Sequence, residues 1–222
     1  MAFLKNLSTS ENEMKHTSIT LLTLTAAASF AQSAPAAASA FTTSGNVTLS
    51  SEYVFRGVSQ TEGKTALSAQ YDVAHGSGLS AGIFASNVSA ALGNLEIDLY
   101  ANYGFKVGAL DVSVGYINYS YNGAAGASEA NLGVTYAGVQ LKASKGINGT
   151  LSDYYYEANY SYAVAAFKGL TIGLHYGNDR ASSNDDYAVG LSYPVFGCTG
   201  TVSFSDVQGG DNITAVSLKK TF

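Results

Sequence analysis

The charged side chains of this sequence stand in segments that are otherwise apolar or aromatic. Glu52 and Arg56 flank an aromatic tripeptide, and Glu96 and Asp98 alternate with leucine and isoleucine. Charges of both signs on one face of an apolar wall can keep an interior path hydrated, or they can pair and fill it. The residues that could line such an interior path are Glu52, Arg56, Asp72, Glu96, Asp98, Lys106, Asp111, Lys142, Glu157, His175 and Lys219.

Patterns that would support catalysis are weak. Residues 78–82, GLSAG, match G-x-S-x-G, but that motif requires a strand-to-helix turn and no helical pattern follows. His175 faces inward on a predicted strand without an evident acid–base partner. The acidic segment 178–186 lacks the ligand spacing of a calcium loop. We therefore expect no enzymatic activity, no catalytic residue, no metal site and no cofactor.

The composition favours many strands and turns. The 222 residues include 24 Gly, 16 Tyr and 10 Phe, whereas charged residues are only 12%, about half of the share usual in soluble domains. The formal net charge of −5 and the lack of a basic cluster argue against a nucleic-acid partner. Cys198 is the only cysteine, which excludes an intrachain disulfide.

Alternation of apolar and polar residues continues through most of the chain. In LEIDLYANYGFK, residues 95–106, Glu96, Asp98 and Lys106 all fall on one face, and the other face is apolar. No segment after the N-terminal region shows a convincing stripe of period 3.6. The pattern predicts an all-β protein.

About twelve such strands are predicted, and the connections between them alternate between tight turns and longer Gly-rich loops. This organisation is typical of a single antiparallel up-and-down transmembrane β-barrel, with short periplasmic turns and longer extracellular loops. The predicted strands lie near 45–56, 64–74, 79–88, 95–106, 110–121, 129–136, 139–145, 154–164, 170–177, 186–193, 198–206 and 212–222.

Alternation in a barrel places the charges in the lumen. Glu52 and Arg56 then point inward, while Tyr53 and Phe55 point to lipid. With odd-numbered strands running away from the periplasm, the upper lumen is predicted to hold Arg56, Glu96, Asp98, Lys142 and Glu157, and the lower lumen Asp72, Lys106, Asp111 and Lys219. These charges either form a constriction or neutralise each other to fill the interior, and the sequence leaves both alternatives open.

Aromatic residues near the predicted strand ends are typical of the girdles that flank the apolar band of a membrane barrel. Tyr100 and Tyr119 instead fall on the inward positions of their predicted strands and would point into the lumen, where they could stack on a sugar. The predicted membrane-interface aromatics are Tyr53, Phe55, Tyr103, Phe105, Tyr154, Tyr176, Tyr187, Tyr193 and Phe222.

The N-terminus has the pattern of an export signal. Lys15 and His16 precede the apolar run Ser18–Ala31, and small residues at its end allow cleavage after Ala31 or Ala40. We interpret 1–31 as an extension plus a cleavable signal peptide, with Met14 as the natural start, and 32–222 as the barrel. A membrane anchor is the alternative, but the run falls short of about 20 residues.

Three motifs carry a resemblance to a known family. EYVFRGVSQT (52–61), GIFASNV (82–88) and LEIDLYANYGF (95–105) resemble the TorF-type porins, small outer-membrane proteins of proteobacteria. The family often has Trp near the position of Phe84, and this chain has none. The resemblance implies an outer-membrane pore, supplies no substrate, and implies that the outer-membrane assembly machinery recognises the terminal Phe222.

The sequence therefore predicts a narrow outer-membrane channel for passive diffusion of small polar solutes or ions. The expected partners are outer-membrane lipid, lipopolysaccharide and the assembly machinery. One alternative is a non-conducting outer-membrane barrel with a structural role or with loops that bind a partner. A second is a secreted soluble β-barrel that binds a small ligand, which the apolar outward faces disfavour.

Overall fold

The fold is a closed antiparallel barrel in the computed structural model, which describes residues 41–151 and 153–222. The twelve barrel strands are β1 (Phe41–Ser50), β4 (Ala66–His75), β5 (Leu79–Asn87), β6 (Leu95–Val107), β7 (Leu110–Tyr121), β8 (Ala127–Tyr136), β9 (Val139–Gly149), β10 (Tyr154–Ala163), β11 (Thr171–Asp179), β12 (Asn184–Val195), β13 (Cys198–Val207) and β14 (Ile213–Thr221). The prediction of a twelve-stranded antiparallel barrel is confirmed.

Each strand pairs with its sequence neighbour, and β1 closes the barrel against β14. The closure runs from Asn46 opposite Thr221 to Ser50 opposite Ser217. Gly45 and Phe222 extend it by exchanging two backbone hydrogen bonds of 3.0 and 2.9 Å. Closure leaves no open edge, so every strand backbone finds its partners inside the sheet.

Alternation places small and polar side chains inside and apolar ones outside. In β6, Glu96, Asp98, Tyr100 and Asn102 are buried while the intervening residues are exposed, as the sequence predicted. The exposed face carries aliphatic side chains on successive strands: Leu49, Leu67, Ile83, Leu99, Val114, Leu132, Leu141, Leu174, Val189, Leu191, Val202 and Val216.

The connections define two ends of the barrel. The turn end carries residues 76–78, 108–109, 137–138, 164–170 and 196–197, and the loop end carries 51–65, 88–94, 122–126, 150–153, 180–183 and 208–212. Several loops are shorter than the sequence suggested, because strands such as β9 and β12 continue into polar, Gly-rich sequence. The connection 51–65 is longer than any other connection between the described barrel strands.

Two strands lie outside the barrel wall. β2 (Val54–Phe55) and β3 (Val58–Ser59) form a separate two-stranded sheet within the connection 51–65. No helix in the described part of the chain is long and apolar enough to span a membrane. The predicted extension, signal peptide and cleavage positions lie outside the described residues.

Candidate functional site

The candidate site is formed where the connection 51–65 folds into the barrel. We call this segment the lumen hairpin. Its two strands are joined by Arg56 and Gly57, whose φ angles of 50° and 75° are the positive values that two-residue hairpin turns require. Farther from the turn, Tyr53 N–H donates to Thr61 Oγ1 at 3.1 Å and Gln60 N–H donates to the Tyr53 carbonyl at 2.7 Å.

The lumen hairpin crosses the full width of the barrel. It leaves the wall between the neighbouring strands β1 and β4, and its turn reaches β8 and β10 on the opposite side. The contacted residues lie near the loop end of their strands, so the crossing occurs just inside that mouth. The hairpin therefore narrows the lumen at the loop end.

Arg56 anchors the turn of the hairpin. One guanidinium nitrogen, Nη2, donates to both carboxylate oxygens of Glu129, at 2.8 and 2.9 Å. The guanidinium also lies over the ring of Tyr155, 3.8 Å from its centroid. Burial has the largest single effect and would lower the pKa of Arg56, but the Glu129 carboxylate together with Tyr119 and Tyr155 outweighs it, and the pKa is raised.

Two glycines make room for this anchor. A side chain on Gly57 would meet Val207 and Asp186, and its positive φ would strain any other residue. A side chain on Gly177 would meet the Tyr155 hydroxyl and the Asp186 carboxylate. The small residues thus allow the hairpin and the Tyr155 ring to approach β11, β12 and β13 closely.

The Tyr155 ring is held by a buried polar network that we call the tyrosine platform: Tyr155, Asn159, His175 and Asp186. The Tyr155 hydroxyl donates to Asp186 at 2.9 Å, and His175 Nε2 lies 2.9 Å from the other Asp186 oxygen. His175 Nδ1 lies 2.7 Å from the Asn159 amide oxygen. The expectation that His175 lacks an acid–base partner is wrong, because Asp186 belongs to strand β12 and not to a loop.

The charges of β6 lie beneath the start of the hairpin. Glu96 and Asp98 are 2% and 0% exposed, and the Tyr121 hydroxyl donates to Glu96 at 3.0 Å. Tyr53 and Tyr121 belong to one packed cluster with Phe55 and Phe84. The two carboxylates are therefore covered by the hairpin and its aromatic neighbours.

The structure contradicts the predicted positions of Tyr53 and Phe55. Tyr53 is 2% exposed and packs on Phe84, and Phe55 is half-buried and packs on Tyr119, so neither reaches a membrane interface. The first strand ends at Ser50, and the residues that follow turn inward. Glu52 consequently belongs to the hairpin, where its carboxylate accepts a hydrogen bond from Gly63 N–H.

The remaining predicted lumen residues lie at several depths. Lys142 pairs with Glu157 at 3.0 Å, and Asp72 accepts hydrogen bonds from Tyr100 and Gln70. Lys219 lies half-buried on β14. Lys106 and Asp111 pair beside the turn 108–109, where both side chains are 56% exposed. Whether any of these residues contacts a solute stays a prediction.

Seven of the nine predicted interface aromatics lie on the outside of the barrel: Tyr103, Phe105, Tyr154, Tyr176, Tyr187, Tyr193 and Phe222. Some pack on each other there. Tyr103 stacks on Phe105 with ring centroids 5.6 Å apart, and Tyr176 contacts Tyr187 at 5.3 Å. Their position at a lipid interface stays a prediction.

Sequence reasoning missed three residues of the site: Glu129, Tyr155 and Asp186. Glu129 begins a strand whose inward face is otherwise uncharged, and Tyr155 stands between two outward tyrosines. The inward position of Tyr155 was readable from its exposed neighbours, whereas Glu129 follows the buried Ser128 at a register shift that interrupts the alternation. Asp186 ends the acidic segment 178–186, which the sequence suggests is a loop, and no local signal connects any of the three residues with Arg56.

The sequence model of the Gcw_chp family, described as bacterial proteins of unknown function, matches residues 34–216. The chain therefore belongs to this family. No curated protein matches the chain. The resemblance to TorF-type porins is not confirmed by this match and stays a prediction.

Two solved structures of a porin share the fold. The KdgM porin is 13% identical, with 81% of this chain and 98% of that chain covered and a TM-score of 0.59. The KdgM porin in complex with disordered oligogalacturonate is 12% identical, with 81% and 97% covered and a TM-score of 0.58. At these identities the likeness shows the barrel fold alone.

Proposed function

We propose that the protein is an outer-membrane channel through which small polar solutes or ions diffuse passively. The observation that carries this proposal is a closed barrel with an apolar exterior and a polar, charged interior. An apolar face on every side would be unfavourable in water, whereas lipid accepts it. This exterior also argues against the secreted soluble alternative.

The lumen hairpin is the proposed constriction of this channel. A twelve-stranded barrel encloses a wider lumen than the eight-stranded ones that side chains fill, and a narrower one than the porins of about 16–18 strands that hold an aqueous channel. The hairpin reduces that space at the loop end, where Arg56 and Glu129 pair across the mouth. Selection by size and charge is therefore expected at this level.

The charges near the constriction favour cations and neutral solutes over anions. The buried carboxylates there are Glu96, Asp98, Glu129, Glu157 and Asp186, and the basic side chains beside them are Arg56, Lys142 and His175. The KdgM porin has been solved with oligogalacturonate, a polyanion. We propose a different solute class for this chain, because a polyanion would meet an excess of carboxylates.

Two further proposals concern the membrane lipid and the assembly machinery. The outward tyrosines and Phe105 would contact the headgroup region of lipid and lipopolysaccharide, and Phe222 would be the residue that the assembly machinery recognises. Phe222 already closes the sheet by its backbone bonds to Gly45. Its side chain is exposed and free to meet a partner.

A planar bilayer tests the channel. The refolded mature chain should give discrete current steps, with a reversal potential that indicates preference for K⁺ over Cl⁻ in a KCl gradient. Folding is verified beforehand by far-UV circular dichroism and by heat-dependent mobility on gels. Folded protein that gives no current above that of protein-free bilayers would exclude the proposal.

A non-conducting barrel is the second candidate, and the lumen hairpin itself favours it. If the hairpin fills the mouth completely, the folded chain gives no current, while a chain without the hairpin conducts. The two candidates are therefore distinguished by comparing the two chains in the same bilayer.

A further inference from the structure

The acidic residues inside the barrel differ in whether they have a partner. Glu129 pairs with Arg56, Glu157 with Lys142, and Asp186 with His175. Asp72 has no ion pair, but it accepts hydrogen bonds from Tyr100 and Gln70. Among the described residues, Glu96 and Asp98 are buried acids that form no ion pair, and three of their four carboxylate oxygens have no hydrogen-bond partner.

The carboxylates of Glu96 and Asp98 are nearly without protein partners. Both oxygens of Asp98 and one oxygen of Glu96, Oε2, have no hydrogen-bond partner, although both side chains are buried. The Tyr121 hydroxyl donates to Glu96 Oε1, and the Tyr53 hydroxyl and the Ser120 backbone lie close to the pair. Burying a carboxylate without compensation is costly, and two adjacent ones also repel each other.

The geometry brings the two acids together on one face. They are two residues apart on β6, which corresponds to about 6.6 Å along a strand, so their side chains can converge on one ion. The nearest guanidinium, that of Arg56, is already bound by Glu129. No basic side chain of the described residues forms an ion pair with either acid.

A third oxygen comes from the lumen hairpin. The Tyr53 hydroxyl is fully buried, lies beside Glu96 and Asp98, and has no hydrogen-bond partner. It reaches them from a different part of the chain than β6. This hydroxyl and the three carboxylate oxygens without a partner form a set of hard oxygen donors, which is the chemistry that Ca²⁺ and Mg²⁺ prefer.

We propose that Glu96, Asp98 and the Tyr53 hydroxyl bind one divalent cation in the lumen. The two negative charges balance the charge of the ion. Three protein groups do not complete the coordination shell of a divalent cation, so water supplies the other positions, as is common for these ions in carboxylate sites. The bound ion connects β6 to the start of the hairpin and so holds the hairpin in the lumen.

Binding does not depend on conduction. The consequence for permeation rests on the proposed function, since an ion at the constriction would change the charge that solutes meet. The site itself requires only the folded barrel. A binding measurement therefore tests this inference even if the protein gives no current.

Isothermal titration calorimetry of the folded chain in detergent, first with CaCl₂ and then with MgCl₂, tests the site. The unaltered chain should bind one ion per chain. Glu96→Gln and Asp98→Asn should each weaken binding by about tenfold or more, since each removes a charge and weakens a ligand. Tyr53→Phe should weaken it less, because a neutral ligand is lost.

Glu62→Gln is the matched control. Glu62 lies in the same segment, but its side chain is half exposed and contacts only Lys64 at 3.7 Å, so the variant should bind as tightly as the unaltered chain. Both neutralising variants remove a buried charge and are expected to fold, which circular dichroism verifies. Two results would overturn the inference: no binding by the folded unaltered chain, or binding by folded Glu96→Gln and Asp98→Asn that is as tight as that of the unaltered chain.

Discussion

The two ends of the lumen differ although the same wall forms both. At the loop end, the interior holds Arg56, Glu129 and the tyrosine platform in contact with each other. Toward the turn end, most inward residues are small or uncharged, among them Asn102, Gln140, Ser192 and Thr201, and the charges of Asp72 and Lys219 lie apart from each other. The charged pair there, Lys106 with Asp111, is half exposed beside a turn.

The difference comes from one connection rather than from the strands. The other five loop-end connections have seven residues or fewer, whereas 51–65 enters the barrel and brings Tyr53, Phe55 and Arg56 with it. A repetitive wall thus acquires two different ends by the insertion of a single hairpin.

The largest expected effect follows from removing the hairpin strands. Replacing residues 54–59 by a Gly-Ser linker should raise single-channel conductance several-fold, because the narrowest section limits the current. Planar bilayer recordings measure it. The control is an equal replacement in the loop 208–212, which should leave conductance unchanged. Equal currents from the hairpin variant and the unaltered chain would show that the narrowest section lies elsewhere.

A smaller effect is expected from Arg56→Ala. It leaves Glu129 buried and unpaired, which typically costs about 3–5 kcal/mol, and the hairpin can recover part of that by leaving the lumen. Conductance should rise with more current noise, and trypsin should cleave faster after Lys64. Glu129→Ala combined with Arg56→Ala should recover part of the lost stability, since the double variant has no buried charge without a partner at this position.

Arg56→Lys separates charge from shape in the same anchor. Lysine keeps the positive charge but cannot stack a planar group on Tyr155. Cleavage after Lys64 should be intermediate between that of the unaltered chain and that of Arg56→Ala. If the lysine variant matches the alanine variant, stacking on Tyr155 contributes more than the ion pair.

The tyrosine platform should give a moderate effect on stability. Tyr155→Phe removes the hydroxyl that bonds Asp186, so the free energy of unfolding should fall by about 1 kcal/mol. Urea unfolding in detergent, followed by circular dichroism, measures it. Tyr154→Phe on the exposed face is the matched control. A loss of the same size in both variants would contradict a specific contribution of the platform.

The smallest effect is expected at the turn end. Asp111→Asn breaks an exposed pair with Lys106, and such pairs contribute between about 0 and 1 kcal/mol. Stability should change little and conductance should not change. A marked change in ion preference would show that the turn end also selects among permeating ions. The difference between the two ends would then be smaller than the structure implies.

Much of the wall was predictable, whereas the contents of the lumen were not. Residues 95–106 alternate so regularly that the buried positions of Glu96 and Asp98 follow from the sequence. Residues 51–56 alternate as well, and this pattern predicts a strand, although the chain leaves the wall after Ser50. Local alternation does not distinguish a strand of the wall from a short hairpin inside it.

The sequence by itself determined the barrel: alternation with period two, tight turns and an apolar outer face each depend on neighbouring residues. Only the tertiary structure decided where the long connection goes. Arg56 and Glu129 are 73 residues apart, and their contact exists because closure of the sheet places β8 opposite the gap between β1 and β4. A contact that depends on closure of the sheet leaves no periodic pattern in the sequence. The sequence therefore predicts Arg56 as a residue of the wall, whereas the structure shows it as the anchor of a hairpin.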